Sequence, residues 1–492
     1  MRPARKGESN MKKKSKQIHI LIAVILYVIL RLLLGGHEDM GLTAAGASTL
    51  ALFICTIYLW ITYGSGWTSM LSIGLLAFTG IAPANTILGN SFGNSTAVIV
   101  IGTLILCVAL EENGVTKLIA NWFITRNVVS KRPYMFLFMF LLANLFITYF
   151  MEATAVAIIF WALAKSILDS LGYTKDDKFS KALYLGVLWV TCVGNAATPI
   201  GHPVPLLMLS SLEKITEVSV SWLTYMAIGI PLSLVTLGLT LLIIRLIIKP
   251  DCSKFDAYDV VERRKEMEPL SKKGKISLIV YIALIIFWLL PDFLGPFPAV
   301  AAVFKSVGAS IPSLIAVAIV CAITVDGEPV LKYEKAVKSI HWSTVIFIAC
   351  IFLYASAFSM ETGGINVFLK ALVAPLTSGL SAGVLAAAFL FLVIFATNFA
   401  SNGVTGIVGI TVCAPALLSI ASPGYVTAYG VLVAMLCNMG IATPGGSGFV
   451  ALAQKDGVIT GSETMKYSLL LILMMYVCVM IIFWPLAQAL FR

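Results

Sequence analysis

The chain reads as an all-α polytopic membrane protein built from two inverted repeats with re-entrant hairpins and broken helices. Three observations carry this. Hydrophobic residues make up 59% of the chain and charged ones only 12%, so it cannot cover a soluble surface. Apolar runs long enough to cross a bilayer recur along it. Two of these runs stop at polar knots rich in Gly and Pro, and the knots recur at a near-constant spacing. A β-barrel would show short alternating segments instead.

Residues 1–16 hold Arg2, Arg5, Lys6, Lys12, Lys13, Lys14 and Lys16, which predicts a cytoplasmic tail and a cytoplasmic N-terminus. N-terminal spans follow over 17–93, with apolar runs at Ile18–Leu34, 43–62 and 69–83. No small-residue cleavage site follows the first run, so it reads as a retained span rather than a signal peptide.

Residues 94–249 form the first repeat. The run Ala97–Leu110 ends in Glu111-Glu112-Asn113-Gly114, and an amphipathic piece, Val115–Thr125, comes next. A hairpin spans 133–170, its two arms flanking Met151-Glu152-Ala153-Thr154. Basic residues border both ends, at Lys131, Arg132, Lys175, Lys178 and Lys181. Both ends therefore face the cytoplasm, and the two arms are either two full spans or one re-entrant hairpin, which the polar turn favours. A helix over 183–211 is broken between Gly194 and Pro203, where two prolines and two glycines interrupt it. The run Val218–Ile248 carries Pro231 inside it.

Residues 250–275 mix both charge signs and read as a cytoplasmic linker; 276–340 hold linking spans. The second repeat occupies 341–492. Its first run leads to Glu361-Thr362-Gly363-Gly364 and a second amphipathic piece, Ile365–Leu376. A hairpin over 381–420 turns at Asn398-Phe399-Ala400-Ser401-Asn402-Gly403. A helix over 425–463 breaks at Ala442-Thr443-Pro444-Gly445-Gly446-Ser447-Gly448, and Tyr467–Leu486 is the last span. Residues 371–454 contain no Lys, Arg, Asp, Glu or His. A site there must use backbone dipoles and small polar side chains, as transporters with broken helices do.

The landmarks repeat in order. Glu112-Asn113-Gly114 matches Glu361-Thr362-Gly363, Glu152 matches Asn402, and Ala197-Thr198-Pro199 matches Ala442-Thr443-Pro444, at offsets of 249, 250 and 245. The second hairpin lacks close basic flanks, so it opens to the other side. The repeats are then inverted, with both tips near the midplane.

At these motifs the chain resembles the divalent anion:sodium symporter (DASS) family of the ion transporter superfamily. Ser401-Asn402-Gly403 stands where that family has Ser-Asn-Thr, and a Thr-Pro element follows each hairpin. The first tip, Met151-Glu152-Ala153-Thr154, departs further. The resemblance implies a homodimer, a fixed scaffold with a moving transport domain, and an elevator mechanism. It also implies a small anionic cargo, di- or tricarboxylate or sulfate, taken up with sodium.

Sodium prefers carbonyl, hydroxyl and amide oxygens. Its expected ligands come from Glu152, Gly194, Ala197, Ser401, Asn402, Gly403 and Ala442. Cargo contacts are expected from Thr154, Asn195, Thr198, Ser401, Asn402 and Thr443, beside half-helix ends that favour an anion. The plainer reading of Ser401 and Asn402 is satisfaction of a helix end; the recurrence of hairpin and break favours a site. Glu152 and His202 are candidate proton-carrying or gating groups. His19, His37 and His341 read as structural, and Glu112 and Glu361 as interface or cap residues.

Other classes fit less well. An intramembrane enzyme needs a catalytic set at depth, and only Glu152 and His202 approach one. The nine cysteines form no CxxC pair or Cys/His cluster, so neither a disulfide framework nor a structural metal site is expected. Much of the net charge of +10 lies in flanking loops, which is topology rather than nucleic-acid binding. The expected setting is the plasma membrane, with the lipid bilayer and a small anion as partners. A proton-coupled carrier or an anion exchanger of the same fold is the alternative function.

Overall fold

The computed structural model describes residues 5–35, 37–265, 267–377 and 379–491. Part of the expected basic tail, residues 1–4, lies outside them. Seven helices among the described residues are long and apolar enough to cross a membrane. One short antiparallel pair, Thr324–Val325 with Glu328–Pro329, is the strand content among these residues.

One body gathers the outer spans. It contains α1 (Arg5–Leu34), α2 (Ala44–Tyr63), α3 (Gly66–Leu76) and α4 (Ser95–Glu112). The amphipathic α5 (Val115–Ile124) follows α4. The second body begins with the first hairpin, α6 (Pro133–Thr148) and α7 (Ala153–Ser170). The first broken helix is α8 (Lys178–Gly194) and α9 (Pro203–Thr216), and α10 (Trp222–Ile243) covers it. The chain then returns to the outer body through α11 (Lys272–Phe293), α12 (Ser310–Ala322) and α13 (Trp342–Ser359). The second amphipathic helix is α14 (Ile365–Thr377). The second hairpin is α15 (Ala382–Ala396) and α16 (Asn402–Val408), whose helix runs on to Leu418. The second broken helix is α17 (Pro423–Leu436) and α18 (Gly448–Gln454), and α19 (Gly461–Cys478) closes the chain.

Local chemistry sets these boundaries. Ser221, Ser271, Ser381 and Ser422 cap α10, α11, α15 and α17 by accepting backbone N–H bonds. Thr460 and Glu463 form a reciprocal capping box on α19. The turns into the amphipathic helices need positive φ, supplied by Gly114 (φ 77°) and Gly364 (φ 62°). These two glycines, one residue apart from the Gly114–Gly363 pairing read from sequence, mark the same corner in each repeat.

The outer body is joined by α1 on α2, α2 on α3 and α3 on α13. Buried hydroxyls lock that last contact: Tyr354 bonds Ser72 at 2.6 Å and Thr56 at 3.1 Å. Such groups at membrane depth must find partners within the protein.

The broken helices run antiparallel. The first half of each packs on the second half of the other, α8 on α18 and α9 on α17. Polar contacts fix both ends. Lys181 pairs with Glu463 at 2.6 Å, and the Tyr184 hydroxyl donates to Asp456 at 3.0 Å. At the far end Thr216 and Thr427 are 3.2 Å apart. This is the geometry of inverted repeats.

The linker is not a free loop. Phe255 is fully buried between Phe136 and Phe179, with ring centroids 5.1 and 5.9 Å away. The Tyr258 hydroxyl donates to the Ile124 carbonyl at 3.2 Å. The Thr174 backbone N–H and the Lys254 ammonium hold the Asp177 carboxyl below the usual carboxylate range. The segment thus straps α5 to the base of the first hairpin.

Antiparallel broken helices place the starts of α8 and α17 on opposite membrane faces. A membrane-impermeant maleimide should label Ser422→Cys in intact cells, and Lys178→Cys only after permeabilisation. Labelling of both from one side would contradict this arrangement.

Candidate functional site

Each hairpin tip is a helix start. Glu152 caps α7: one carboxylate oxygen accepts from the Thr154 and Ala155 N–H groups at 2.7 and 3.2 Å. The other accepts from the Thr154 hydroxyl at 2.9 Å. A negative charge there is favoured by the helix dipole. Ser401 occupies the same cap position on α16 but makes no side-chain cap bond. Glu152 therefore corresponds to Ser401 rather than Asn402, a one-residue correction of the sequence pairing. Ala153 then stands opposite Asn402, and Thr154 opposite Gly403.

Each tip is stapled to the break that follows it. The Thr198 hydroxyl donates to the Tyr149 carbonyl and accepts from Ile200 and Gly201 N–H at 3.2 and 3.1 Å. In the second repeat the Thr443 hydroxyl donates to the Asn398 carbonyl. The Asn398 amide oxygen accepts from Ile441 and Ala442 N–H at 3.0 and 2.9 Å. Glycine permits the approach: a β-carbon at Gly201 would collide with the Thr148 carbonyl, and one at Gly446 with the Thr397 carbonyl.

Asn402 sits among oxygens. In one amide orientation its oxygen is 2.9 Å from the Thr397 hydroxyl, which also donates to the Cys437 carbonyl. In the other its nitrogen donates to Thr397 Oγ1 at 2.9 Å and to the Cys437 and Gly446 carbonyls at 3.1 and 3.2 Å. The first tip has no counterpart, because Ala153 carries no amide.

A cavity of about 530 Å³ brings both tips and both breaks together. Glu152 and Thr154 reach it from the first hairpin, Ser401, Asn402 and Gly403 from the second, and His202 and Ser447 from the breaks. The facing wall is the start of α13, with His341, Ser343, Thr344 and Phe347. No Lys or Arg lines it among the described residues. Phe347 explains Gly403: a β-carbon there would come 2.8 Å from the aromatic ring.

Other expected site residues do not line this cavity. Asn195 and Thr198 are fully buried behind it; Thr198 is occupied by its staple, and neither Asn195 amide atom has a protein hydrogen-bond partner. Thr443 is likewise occupied with Asn398. The Gly194 carbonyl accepts from Ala197 N–H at 3.1 Å, and the Ala197 carbonyl abuts Gly229. Ala442 contributes its N–H to Asn398 rather than a carbonyl to Asn402. His202 caps α9, its Nδ1 accepting from Val204 N–H at 3.4 Å. His341, which reads as structural in the sequence, lines the cavity instead. Thr397, Ser447 and Phe347 carry no distinctive pattern of their own. The offset of 249 from Thr148 was the one signal for Thr397.

Overpacking a tight contact costs roughly 1–3 kcal/mol. Gly446→Ala and Gly201→Ala should each lower the melting temperature of the purified protein and impair its activity, whereas Gly238→Ala on α10, with open space around it, should not.

Comparison with known proteins agrees with this architecture. The family model described as citrate transporter (CitMHS) matches residues 50–421. An uncharacterized transporter of Haemophilus influenzae is 24% identical over 478 residues, covering 95% of this chain and 96% of the relative. The sodium-dependent dicarboxylate transporter SdcS of Staphylococcus aureus is 23% identical over 297 residues, or 58% of this chain. The match spans 56% of that relative's own length. The solved Alcanivorax borkumensis YdaH transporter superposes with a TM-score of 0.53 at 15% identity, over 82% of this chain and 86% of that one. That likeness shows a common helical fold. The family and these relatives are transporters, and the resemblance drawn from Ser401-Asn402 and the Thr-Pro elements holds: the chain belongs to the citrate transporter (CitMHS) family.

Proposed function

We propose that the chain is a secondary active carrier that moves a small di- or tricarboxylate, or sulfate, together with sodium. The observation that carries this is the oxygen cluster at Asn402, placed where the second hairpin tip meets its break and beside the cavity. Four oxygens converge there: Asn402 Oδ1, Thr397 Oγ1 and the carbonyls of Cys437 and Gly446. They are the hard, uncharged ligands a sodium ion takes. Asn402 then has two roles, donating through its nitrogen when the ion is absent and coordinating through its oxygen when it is present. A bound sodium would supply positive charge beside a wall that lacks Lys and Arg. Ser401 and Ser447 offer hydroxyls to the anion, and His202 a ring N–H, while the Thr154 hydroxyl is held by Glu152.

Glu152 favours a second reading, coupling to protons or anion exchange, because it is the one carboxylate lining the central cavity among the described residues. Its oxygens already cap α7, which supports a structural part for it as well. An elevator motion of the hairpins and broken helices against the outer body, a homodimer, and a plasma-membrane location with the N-terminus inside complete the proposal. They rest on the family resemblance and the charge pattern.

Uptake of labelled citrate, succinate and sulfate into proteoliposomes under sodium or proton gradients tests this reading. Loss of one charged-group ligand is worth about 1.5–3 kcal/mol, so Asn402→Ala should raise the sodium concentration for half-activation by about tenfold or more. An unchanged sodium response would remove Asn402 from the ion's shell. Glu152→Gln should leave sodium activation intact; if it abolishes the pH dependence of uptake instead, the proton reading replaces the sodium one.

A further inference from the structure

The wall opposite the hairpin tips belongs to neither hairpin nor broken helix. It is the start of α13, and His341 stands at its cap position without making a cap hydrogen bond. The ring is exposed to two cavities at once. One is the central cavity; the other is a neighbouring vestibule of about 460 Å³ lined by Glu111, Glu112 and Glu152. The cavity's other imidazole, His202, is committed: its Nδ1 accepts from Val204 N–H, which leaves it a neutral donor through Nε2. No Lys or Arg lines the central cavity among the described residues. His341 is thus the lining imidazole that can meet an anion without giving up a helix cap.

We propose that His341 is a specificity-determining residue that receives the second carboxylate of a di- or tricarboxylate whose first carboxylate sits at the hairpin tips. The inference rests on the transport reading above and adds a cargo-selecting residue from the outer body. The groups facing His341 decide where that second carboxylate goes. Glu152 faces it from the first hairpin, Glu111 and Glu112 from α4, and His202 from the first break. Lys335 lies beyond them, bound to Glu112 at 2.8 Å. A carboxylate entering between the tips and α13 is repelled by Glu152 and meets His341 on the facing wall. A monocarboxylate has nothing to place there, so the residue separates the two classes by charge-assisted hydrogen bonding.

The test compares wild type, His341→Gln and His341→Arg in proteoliposomes at fixed pH and saturating sodium. Succinate and citrate serve as cargo, and propionate as a monoanionic competitor. A charged hydrogen bond lost at this position should raise KM for succinate and citrate about tenfold. The maximal rate, the sodium half-activation and the inhibition constant of propionate should stay within about twofold, which marks lost ground-state binding. His341→Arg should recover most of the affinity. The side chain is exposed and caps nothing, so all three proteins should elute as one folded species. An unchanged KM in His341→Gln overturns the proposal, as does an equal loss for propionate and succinate. If the wild type takes up neither succinate nor citrate, the carboxylate reading of the cargo fails and this inference with it; if it also takes up no sulfate, the transport reading fails.

Discussion

A backbone that leaves its helix at membrane depth must be satisfied by the protein itself, and the site depends on how that is done here. Two hydroxyls carry the burden. Thr198 and Thr443 each donate to a carbonyl at the preceding hairpin tip, and Thr198 also accepts from N–H groups of its own break. Each staple fixes a tip against a half-helix end. Gly201 and Gly446 complete it by letting the two backbones come closer than a side chain would allow. Once tip and break are one unit, the half-helix ends and the oxygens around Asn402 hold fixed positions.

The two repeats use this frame differently. The first tip closes on itself: Glu152 caps α7 and holds the Thr154 hydroxyl, and Ala153 offers no amide. The second tip is open, with Ser401 making no side-chain cap bond and Asn402 turned towards the break. The reason for Gly403 lies across the cavity, where Phe347 of α13 fills the space of a side chain. A common fold therefore surrounds one oxygen-rich pocket and one acid-capped tip.

The outer body does more than confine the site. Its hydroxyl cluster at Thr56, Ser72 and Tyr354 ties α13 to α2 and α3, so the wall that carries His341 and Phe347 belongs to that body. The linker adds a second tie, with Phe255 buried at the base of the first hairpin.

The sequence by itself determined the architecture. Apolar runs mark the spans, Gly-Pro knots mark the breaks, and the recurrence of Glu112, Glu152 and Thr198 near 361, 402 and 443 marks the repeat. These signals are local, because hydropathy and helix-breaking residues act within a few residues of themselves. Only the tertiary structure decided which side chains reach the cavity. Asn195, Thr198 and Thr443 lie on the breaks as the sequence predicts, yet irregular backbone has no fixed period to say which way they point, and none lines the cavity. The register of the first tip shifted by one residue because cap geometry, not residue likeness, equates Glu152 with Ser401. His341 and Thr397 are unremarkable in the chain. They became legible once α13 and the hairpins, far apart in sequence, were packed across one cavity.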